Sequence, residues 1–465
     1  MLFQLVFFTF IVIGLIALLL EGISRYTAKK TNTNPQFLAF QRIYLLVYVP
    51  IIFGDWLNAP YLYKLYSSYG FIEDQIAIIY VCGFASSLFF GASSGFIVQS
   101  YGKRKVFVIA TLLYAVSCLI KLSSQYSVLI IGRIISGAST SILFCAQEAW
   151  YIHEHITVHE FPPEWINYTM LKASKTNSVL AVFAGVLSYC MCELYGLGPV
   201  APSILSVPVL LVAGVFAGMK WKENVESPGK LKKVVIRSNS TTSSTRSEKK
   251  KFLKTCCQGL RTIVENSELI EVGFVQALFE SVLCLFVFLW TPVLDHHNPP
   301  LGIVFASFMA ATLVGGAIYR SIRSVWTKLQ PAYSLVATMA VTCATVLGCV
   351  ISTEPSREFP VISFIAFLFF EMASGVYFPV MIDLKRAIEL DKLDVAVTTW
   401  FRVPLNLIAC SGLIFLHSSS NATGTRKLFA CCFVTIIIAL FISMKLVNSI
   451  KTRKSHPVVQ TDDDT

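Results

Sequence analysis

Thirteen apolar stretches, each long enough to cross a lipid bilayer, take up most of this 465-residue chain. A helix needs about 20 apolar residues to span the hydrocarbon core, because lipid offers no partner to backbone polar groups. With 55% hydrophobic and 14% charged residues, the composition is typical of a membrane protein and not of a soluble domain. The function must therefore be sought in the few polar residues inside these stretches.

The apolar runs define the predicted membrane-spanning helices. They cover residues 2–20, 43–66, 76–99, 106–121, 128–150, 175–196, 198–219, 270–294, 301–320, 331–352, 359–382, 397–417 and 427–449. A hydropathy window merges 106–121 with its neighbour and then gives twelve. The first run lacks a basic segment before it and is too long for an ordinary signal peptide. We expect it to be retained with its N-terminus outside; cleavage is the alternative.

Lysine and arginine collect in the loops on one side of this arrangement. They lie within 25–42, 103–105, 172–175, 220–254, 320–328 and 385–392. Because cytosolic loops carry an excess of cations, we expect this side and the C-terminus to be cytosolic. The net charge of +11 is then a topology signal, and no nucleic-acid partner is predicted.

Three glycosylation sequons test this orientation. Asn421-Ala422-Thr423 falls in a loop predicted to lie outside, where an N-glycan is expected. The sequons at Asn167 and Asn239 fall in predicted cytosolic loops and are expected to stay unmodified. A glycan at Asn239 would invert the topology.

The spacing of the spans divides the chain into two halves. The predicted parts are an N-terminal transmembrane anchor with a basic linker (1–41), a six-helix bundle (42–219), a basic serine-rich cytosolic loop (220–269), a second six-helix bundle (270–449) and a cytosolic tail (450–465). Two such bundles around a central path are the design of many secondary carriers. The fold class is therefore an all-α membrane protein.

Two short motifs point to one superfamily. The segment Gly95-Phe-Ile-Val-Gln99-Ser-Tyr-Gly102-Lys103-Arg104-Lys105 resembles the major facilitator signature between core helices 2 and 3, with Gln99 where aspartate is usual. Arg133-Ile-Ile-Ser-Gly137 resembles the arginine motif of core helix 4. The resemblance implies a 12-helix major facilitator core, here with one extra N-terminal helix.

Longer strings resemble the eukaryotic molybdate-anion transporter family, of the type called major facilitator superfamily domain-containing protein 5. They are Asp55-Trp-Leu-Asn-Ala-Pro-Tyr-Leu-Tyr-Lys-Leu-Tyr66, Glu148-Ala-Trp-Tyr-Ile-His-Glu-His155, Gln276-Ala-Leu-Phe-Glu280, Phe288-Leu-Trp-Thr-Pro-Val-Leu-Asp295 and Trp400-Phe-Arg-Val-Pro404. The resemblance implies uptake of molybdate across the plasma membrane. Two alternatives stay open: a carrier of the same fold for sulfate or a small organic anion, and a non-transporting receptor or scaffold.

Arginines inside apolar helices are the first candidates to bind such an anion. Arg133 is the best inner cation, because a planar guanidinium grips two oxygens of an oxyanion at once. Arg402 lies about one turn inside core helix 11 and is the second candidate. Neutral groups on the faces of the lining helices complete the predicted substrate set: Asn58, Thr140 and Gln276. The alternative for Arg133 is an ion pair with Asp55.

Carboxylates within the spans are candidates for proton coupling or gating. An ionisable side chain at the bilayer centre costs about 2.5–3.5 kcal/mol on insertion scales, so it usually faces a cavity or a partner. Asp55, Glu280 and Glu371 lie near mid-depth in core helices 1, 7 and 10. Glu148 is a candidate gate partner of Arg402. For the first three, the alternative is a hydrogen bond that holds two helices together.

Several other functions find no support in the sequence. The histidines at 153, 155 and 159 fit no zinc signature and are expected in a solvated loop, so no metal site is predicted. Lys64 is expected to snorkel at a helix end. No phosphate-binding glycine loop or nucleophile–base pair is present, so no cofactor and no enzyme activity are predicted. The lipid bilayer is the other predicted partner, and no protein partner can be named.

Overall fold

The computed structural model describes residues 2–27, 34–223, 261, 263–326, 329–354, 357–388, 395–417 and 421–455. The first helices are α1 Leu2–Thr27, α2 Pro35–Leu57, α3 Leu62–Ser68, α4 Glu73–Tyr101, α5 Lys103–Ile120, α6 Tyr126–His153, α7 Ile166–Tyr189 and α8 Ala201–Lys220. After the predicted cytosolic insert come α9 Ser267–Asp295, α10 Leu301–Val325, α11 Pro331–Ser352, α12 Pro360–Ala387, α13 Val395–His417 and α14 Asn421–Ser455.

Short irregular elements extend these helices. The π-helical turns Glu154–Val158 and Cys190–Leu194 continue α6 and α7, and the 3₁₀ turn Pro163–Trp165 precedes α7. Strands β1 (Thr353–Glu354) and β2 (Arg357–Glu358) form a two-residue antiparallel ribbon between α11 and α12. All of them lie near helix ends.

Each of the thirteen predicted spans overlaps a helix of the structure, although not always one with the same ends. Among the described residues, eleven helical segments are long and apolar enough to cross a membrane. The other two predicted spans are α5 and α13. Helix α5 begins with three consecutive cations at 103–105, and the described residues of α13 include the shorter apolar stretch Val403–Phe415. The prediction of a multi-pass, all-α membrane protein is confirmed.

The first core helix differs from the predicted single span 43–66. It begins at Pro35 and ends at Leu57, and the chain resumes as α3 only at Leu62. Pro60 explains the break, because it has no N–H to donate and disfavours helical geometry in the residue before it. Tyr66 therefore does not continue the helix face that carries Asp55.

The helices form two groups of six that meet along two seams. In the first group, α2 packs on α7 and α8, α5 packs on α6 and α8, and α4 packs on α6. In the second, α9 packs on α13 and α14, α12 packs on α10 and α11, and α11 packs on α14. The seams between the groups are α7 with α10 and α4 with α13. This arrangement confirms the predicted major facilitator fold.

The extra helix α1 lies against the second group although it precedes the first. It packs along α10, with Val6 fully buried. Near its other end, the carboxylate of Glu21 lies 2.8 Å from Lys175 Nζ on α7 and 3.5 Å from Arg320 on α10. Helix α1 therefore contacts both sides of the α7–α10 seam.

Basic residues gather at one end of the helices, called here the basic face. Arg104 donates to the carbonyl of Trp221 just after α8, and Arg386 on α12 donates to the side chain of Asn167 on α7 at 2.7 Å. The motif glycine Gly102 between α4 and α5 has a φ of +95°, which only glycine adopts without strain. The tight turn implied by the signature is therefore present.

The histidine-rich segment after α6 was predicted to be a solvated loop; residues 156–160, His159 among them, are exposed, but His155 is not. His155 is fully buried, and its ring Nε2 lies 2.9 Å from the carbonyl oxygen of Pro162. Phe37, Phe161 and other rings surround it, since α2 begins earlier than predicted and reaches this segment. Within the described residues, no group of three or more histidine, cysteine or acidic side chains is arranged to hold a metal ion.

Candidate functional site

The predicted carboxylate of the first core helix is hydrogen-bonded to a neighbouring helix. Tyr114 on α5 donates its hydroxyl proton to Asp55 Oδ1 at 2.5 Å. Asp55 forms no ion pair with any described residue. The alternative of a direct Arg133–Asp55 salt bridge is therefore absent from the structure.

Arg133 lies on α6 at the crossing with α4. Its guanidinium carbon is 5.0 Å from the centre of the Tyr80 ring, and a Cβ on Gly83 would approach its Nε at 3.2 Å. Glycine at position 83 thus leaves the room that the guanidinium fills. The Nε is buried and has no hydrogen-bond partner among the described residues. Arg133 keeps a donor that an incoming acceptor can use.

A second buried cation, Lys121, lies just past the end of α5 and was not among the predicted site residues. Only 4% of Lys121 is exposed. Its Nζ donates to Asn58 Oδ1 at 2.6 Å and to Ser203 Oγ at 3.5 Å, both neutral acceptors. In the described part of the chain, no carboxylate lies within ion-pair distance of Lys121.

The contacts of Asn58 change how its role is understood. Its Nδ2 donates to Gly54 O at 2.8 Å and to Ser206 Oγ at 3.0 Å, while its Oδ1 accepts from Lys121. All polar groups of this amide are engaged, so Asn58 positions Lys121 and has no free donor for an anion.

The charges of this part of the fold do not cancel. Lys121 and Arg133 both lie near enough to Asp55 for their charges to act on its carboxylate. The buried Lys121 and the partly buried Arg133 therefore share one carboxylate between α2, α5 and α6. An uncompensated charge in a medium of low dielectric constant is costly, and a bound anion is one way to offset it. The arrangement suits an anionic ligand.

The other predicted substrate residues have partly used polar groups. Thr140 donates its hydroxyl to the carbonyl of Ser136 at 2.9 Å within α6, which leaves oxygen lone pairs but no proton for an anion. Gln276 on α9 has a buried Oε1 without a hydrogen-bond partner in the described residues. An amide oxygen accepts hydrogen bonds and does not donate them, so this unpaired atom offers nothing to an anion, and only the Nε2 group of Gln276 could bind one.

Two of the predicted carboxylates lie in the second group of helices. Tyr377 on α12 donates to Glu280 Oε1 at 3.3 Å. Thr312 on α10 donates to Glu371 Oε2 at 3.0 Å, and Glu371 is only 6% exposed. Both contacts join neighbouring helices of the second group.

For three predicted site residues, the described structure gives no contact that tests the predicted role. Glu148 on α6 is exposed and forms no ion pair with a described residue. Arg402 lies in α13, and Asn421 is the first residue of α14. The side chains of Arg402 and Asn421 lie outside the described residues, as does the sequon at Asn239. Their roles remain predictions.

At the face opposite the basic face, a polar network joins the two groups of helices. Tyr61 donates to Glu193 Oε1 at 2.6 Å, and the same carboxylate accepts from the Leu301 backbone N–H at the start of α10 at 3.1 Å. Lys64 lies beside them, 2.8 Å from Asp295. These side chains line a cavity of about 330 Å³. Lys64 was predicted only to reach the membrane surface, but it pairs with a residue of the second group of helices.

Comparison with known proteins places this fold in a transporter class. Residues 2–368 match the profile of a family described as sugar transporters, 12 TM. Two crystal structures of the nucleoside transporter NupG, one of a single-residue mutant, share the fold with TM-scores of 0.62 and 0.60 at 10% identity. They cover 87% and 88% of this chain and 99% and 98% of their own. The protein is a membrane transporter of the major facilitator type.

Relatives in sequence are far closer. The chain is 41% identical over 448 residues to the molybdate-anion transporter of Xenopus tropicalis, which covers 95% of this chain and 94% of the relative. It is 43% identical over 423 residues to that of Takifugu rubripes, with 89% and 88% covered. The chain therefore belongs to the molybdate-anion transporter family, as its tryptophan- and tyrosine-rich strings predicted. It is a carrier and not an enzyme.

Proposed function

We propose that this protein takes up molybdate across the plasma membrane by alternating access, with Arg133 as the principal anion ligand. The observation that carries the proposal is the environment of Arg133. It lies inside an apolar helix against Tyr80, and among the described residues its buried Nε has no hydrogen-bond partner and its guanidinium has no carboxylate in ion-pair contact. Molybdate is proposed as the anion because the relatives are named molybdate-anion transporters. The chemistry of the guanidinium supplies the reason that an oxyanion binds there.

The geometry of a guanidinium suits a tetrahedral dianion. Its planar fork donates two parallel hydrogen bonds to two oxygens, and charge-assisted bonds of this kind are roughly twice as strong as neutral ones. The guanidinium of Arg133 packs against the ring of Tyr80 and against Gly83. The side chain is therefore already ordered, and it loses little conformational freedom when the anion binds. Lys121 adds a second positive charge nearby.

The network at the opposite face supports alternating access. Lys64 and Tyr61 belong to the first group of helices, whereas Asp295 and the start of α10 belong to the second. Their contacts close the two groups against each other at that face. A rocking motion that breaks these contacts would open a route to the site from that side.

The proposed orientation follows the distribution of charge. The basic face is cytosolic, the C-terminus is cytosolic, and Asn421 carries an N-glycan on the outside. The contact between Arg386 and Asn167 at the basic face supports an unmodified Asn167, because the amide already accepts a hydrogen bond there.

Uptake of molybdenum by cells that express the protein tests the proposal. Wild type should accumulate molybdenum above control cells, with tungstate and sulfate added as competitors to rank the oxyanions. Arg133→Lys keeps the charge but loses the two-pronged geometry, so its KM should rise roughly tenfold or more at equal surface expression. Arg261→Lys is the control and should match wild type, because Arg261 is exposed and its ion-pair partner in the described part of the chain is Glu265, four positions later.

Two results would contradict the proposal in different ways. An unchanged KM in Arg133→Lys would remove Arg133 from the binding site while leaving the transport function intact. No molybdenum uptake by wild type at the cell surface would reject molybdate itself, and uptake of sulfate alone would assign the protein to the related alternative.

A further inference from the structure

We propose that Lys121 balances the charge of Asp55, so that Asp55 does not compete with the substrate for Arg133. This inference rests on the proposed function and deepens it by adding a positioning residue to the site. Lys121 would not touch the anion. It would instead decide whether the carboxylate near Arg133 repels the anion.

Lys121 is held in place more firmly than a lysine at a helix end usually is. Its Nζ is bound to Asn58 Oδ1, and the amide of Asn58 is itself fixed by Gly54 O and Ser206 Oγ. The hydroxyl of Tyr69 donates a hydrogen bond to the backbone carbonyl of Lys121 at 2.6 Å. Both the backbone and the ammonium group are thereby anchored.

The partners of Lys121 are neutral, although a carboxylate is close. Asn58 lies one helical turn after Asp55, and its backbone N–H donates to the Asp55 carbonyl, so the Lys121–Asn58 contact places the ammonium group near the Asp55 carboxylate without an ion pair among the described residues. Because the surroundings are apolar, a charge is felt there over longer distances than in water. The positive charge of Lys121 therefore opposes the negative charge of Asp55 near Arg133.

The hydrogen bond from Tyr114 completes this arrangement. It holds Asp55 on the α5 side, where Lys121 also lies, and no described carboxylate forms an ion pair with the guanidinium of Arg133. Without Lys121, Arg133 would be the remaining cation near Asp55. The carboxylate of Asp55 would then compete with a dianion for Arg133, and it would also repel the dianion.

Four proteins test this inference: wild type, Lys121→Gln, Asp55→Asn and the double variant. For molybdate uptake, Lys121→Gln should raise KM about tenfold. The double variant should return KM to within about threefold of wild type, because the carboxylate that repels the anion is gone. Lys121→Arg, which keeps the charge, should lie closer to wild type than Lys121→Gln does.

A matched control separates charge balance from general loss of a lysine. Lys172 also donates to a neutral amide oxygen, Gln41 Oε1 at 3.0 Å, but it is exposed at the basic face. Lys172→Gln should leave KM unchanged. An unchanged KM in Lys121→Gln, or a double variant no better than Lys121→Gln at equal surface expression, would overturn the inference.

A second measurement keeps the inference testable if the substrate proves to be different. In purified protein without substrate, Lys121→Gln should lower the melting temperature, and adding Asp55→Asn should recover part of the loss. Additive losses in the melting temperature would show that the two charges do not balance each other. Failure of wild type to take up or bind molybdate would instead reject the proposed function, and the melting data would still decide the role of Lys121.

Discussion

Lys64 on α3 holds both carboxylate oxygens of Asp295 at the end of α9, each at 2.8 Å. This ion pair joins the two groups of helices at the face opposite the basic face. Asp295 is mostly buried, whereas Lys64 is more than a third exposed. The pair therefore has the position of a latch, and solvent screening limits its strength.

Breaking this latch should favour the state that is open at that face. We expect Asp295→Asn to increase the rate at which a soluble maleimide labels Cys192, which lines the same cavity. A partly exposed pair contributes about 0.2–1 kcal/mol, so the rate should rise up to about fivefold. Labelling of detergent-purified protein measures it, with Cys192→Ser as the background to subtract.

The charge-reversed pair provides the decisive comparison for this latch. Lys64→Asp combined with Asp295→Lys should restore the low labelling rate, because attraction across the seam is recovered. If the reversed pair labels as fast as Asp295→Asn, the effect comes from local packing and not from the ion pair.

The seam between α7 and α10 should tolerate no added methyl group at its closest point. A Cβ on Gly302 would lie 2.5 Å from Gly185 O and 2.7 Å from the backbone nitrogen of Tyr189. Gly302→Ala should therefore destabilise the protein by about 1–3 kcal/mol through overpacking. Thermal unfolding measures the loss.

Gly218 on α8 is the matched control for that substitution. A Cβ on Gly218 meets nothing within 4 Å among the described residues, and alanine is the better helix former. Gly218→Ala should be neutral or slightly stabilising. Equal melting temperatures of the two alanine variants would contradict the close approach of α7 and α10.

The helices and their grouping could be predicted from the sequence because hydrophobic length is a local signal. Every predicted span contains a helix, and the order of the spans with the basic insert indicates two groups. The break between α2 and α3 was missed, although Pro60 provides a local signal for it. The apolar run across residues 43–66 outweighed that single residue in the prediction.

The site was predicted only where one residue is unusual in its own helix. Arg133 and Asp55 are conspicuous because a charge in an apolar run is costly. Lys121 is not, since a lysine at a helix end ordinarily reaches the membrane surface. Its partner Asn58 lies 63 positions earlier, so only the tertiary structure, which brings the ends of α2 and α5 together, reveals the buried pair. Because this contact cannot be seen in the sequence, Asn58 was predicted to bind the substrate instead of Lys121.

The extra helix α1 should stabilise the seam that it crosses. Glu21 pairs with Lys175 of the first group and Arg320 of the second, and all three side chains are about two-thirds buried or more. We expect Glu21→Gln to lower the melting temperature by a few degrees, roughly what the loss of about 1–2 kcal/mol gives in a chain of this size. Differential scanning fluorimetry measures the shift.

An exposed glutamate, Glu265, is the control for α1. Its ion pair in the described part of the chain is with Arg261, four positions earlier, and both side chains are mostly exposed. Glu265→Gln should leave the melting temperature unchanged. If Glu21→Gln behaves in the same way, the contacts of α1 with the seam add nothing to stability.

The proposed topology predicts one occupied sequon in this chain. Asn421 should carry an N-glycan, whereas Asn167 should not, because Arg386 binds its amide at the basic face. Enzymatic deglycosylation should sharpen the band of wild type on a gel and leave Asn421→Gln unchanged. If the change in mobility on deglycosylation is instead lost in Asn167→Gln or Asn239→Gln, the glycan lies in a loop proposed to be cytosolic. The orientation of the whole bundle would then be the reverse of the one proposed.

The carboxylates within the helices predict how uptake depends on pH. If Asp55 or Glu280 binds and releases a proton during the transport cycle, an amide at that position cannot do so. Asp55→Asn or Glu280→Gln should therefore flatten the pH dependence of uptake more than it lowers surface expression. Glu371, buried in its contact with Thr312 between α10 and α12, provides the third comparison.

The two roles of a carboxylate are separated by measuring uptake across a range of pH together with thermal stability. A coupling residue changes the pH profile, whereas a residue that only holds two helices together changes the melting temperature. Because Glu371 is the most buried of the three, its substitution by glutamine should cost the most stability. An unchanged pH profile in all three variants would leave these carboxylates as packing elements and would require another group to couple transport to protons.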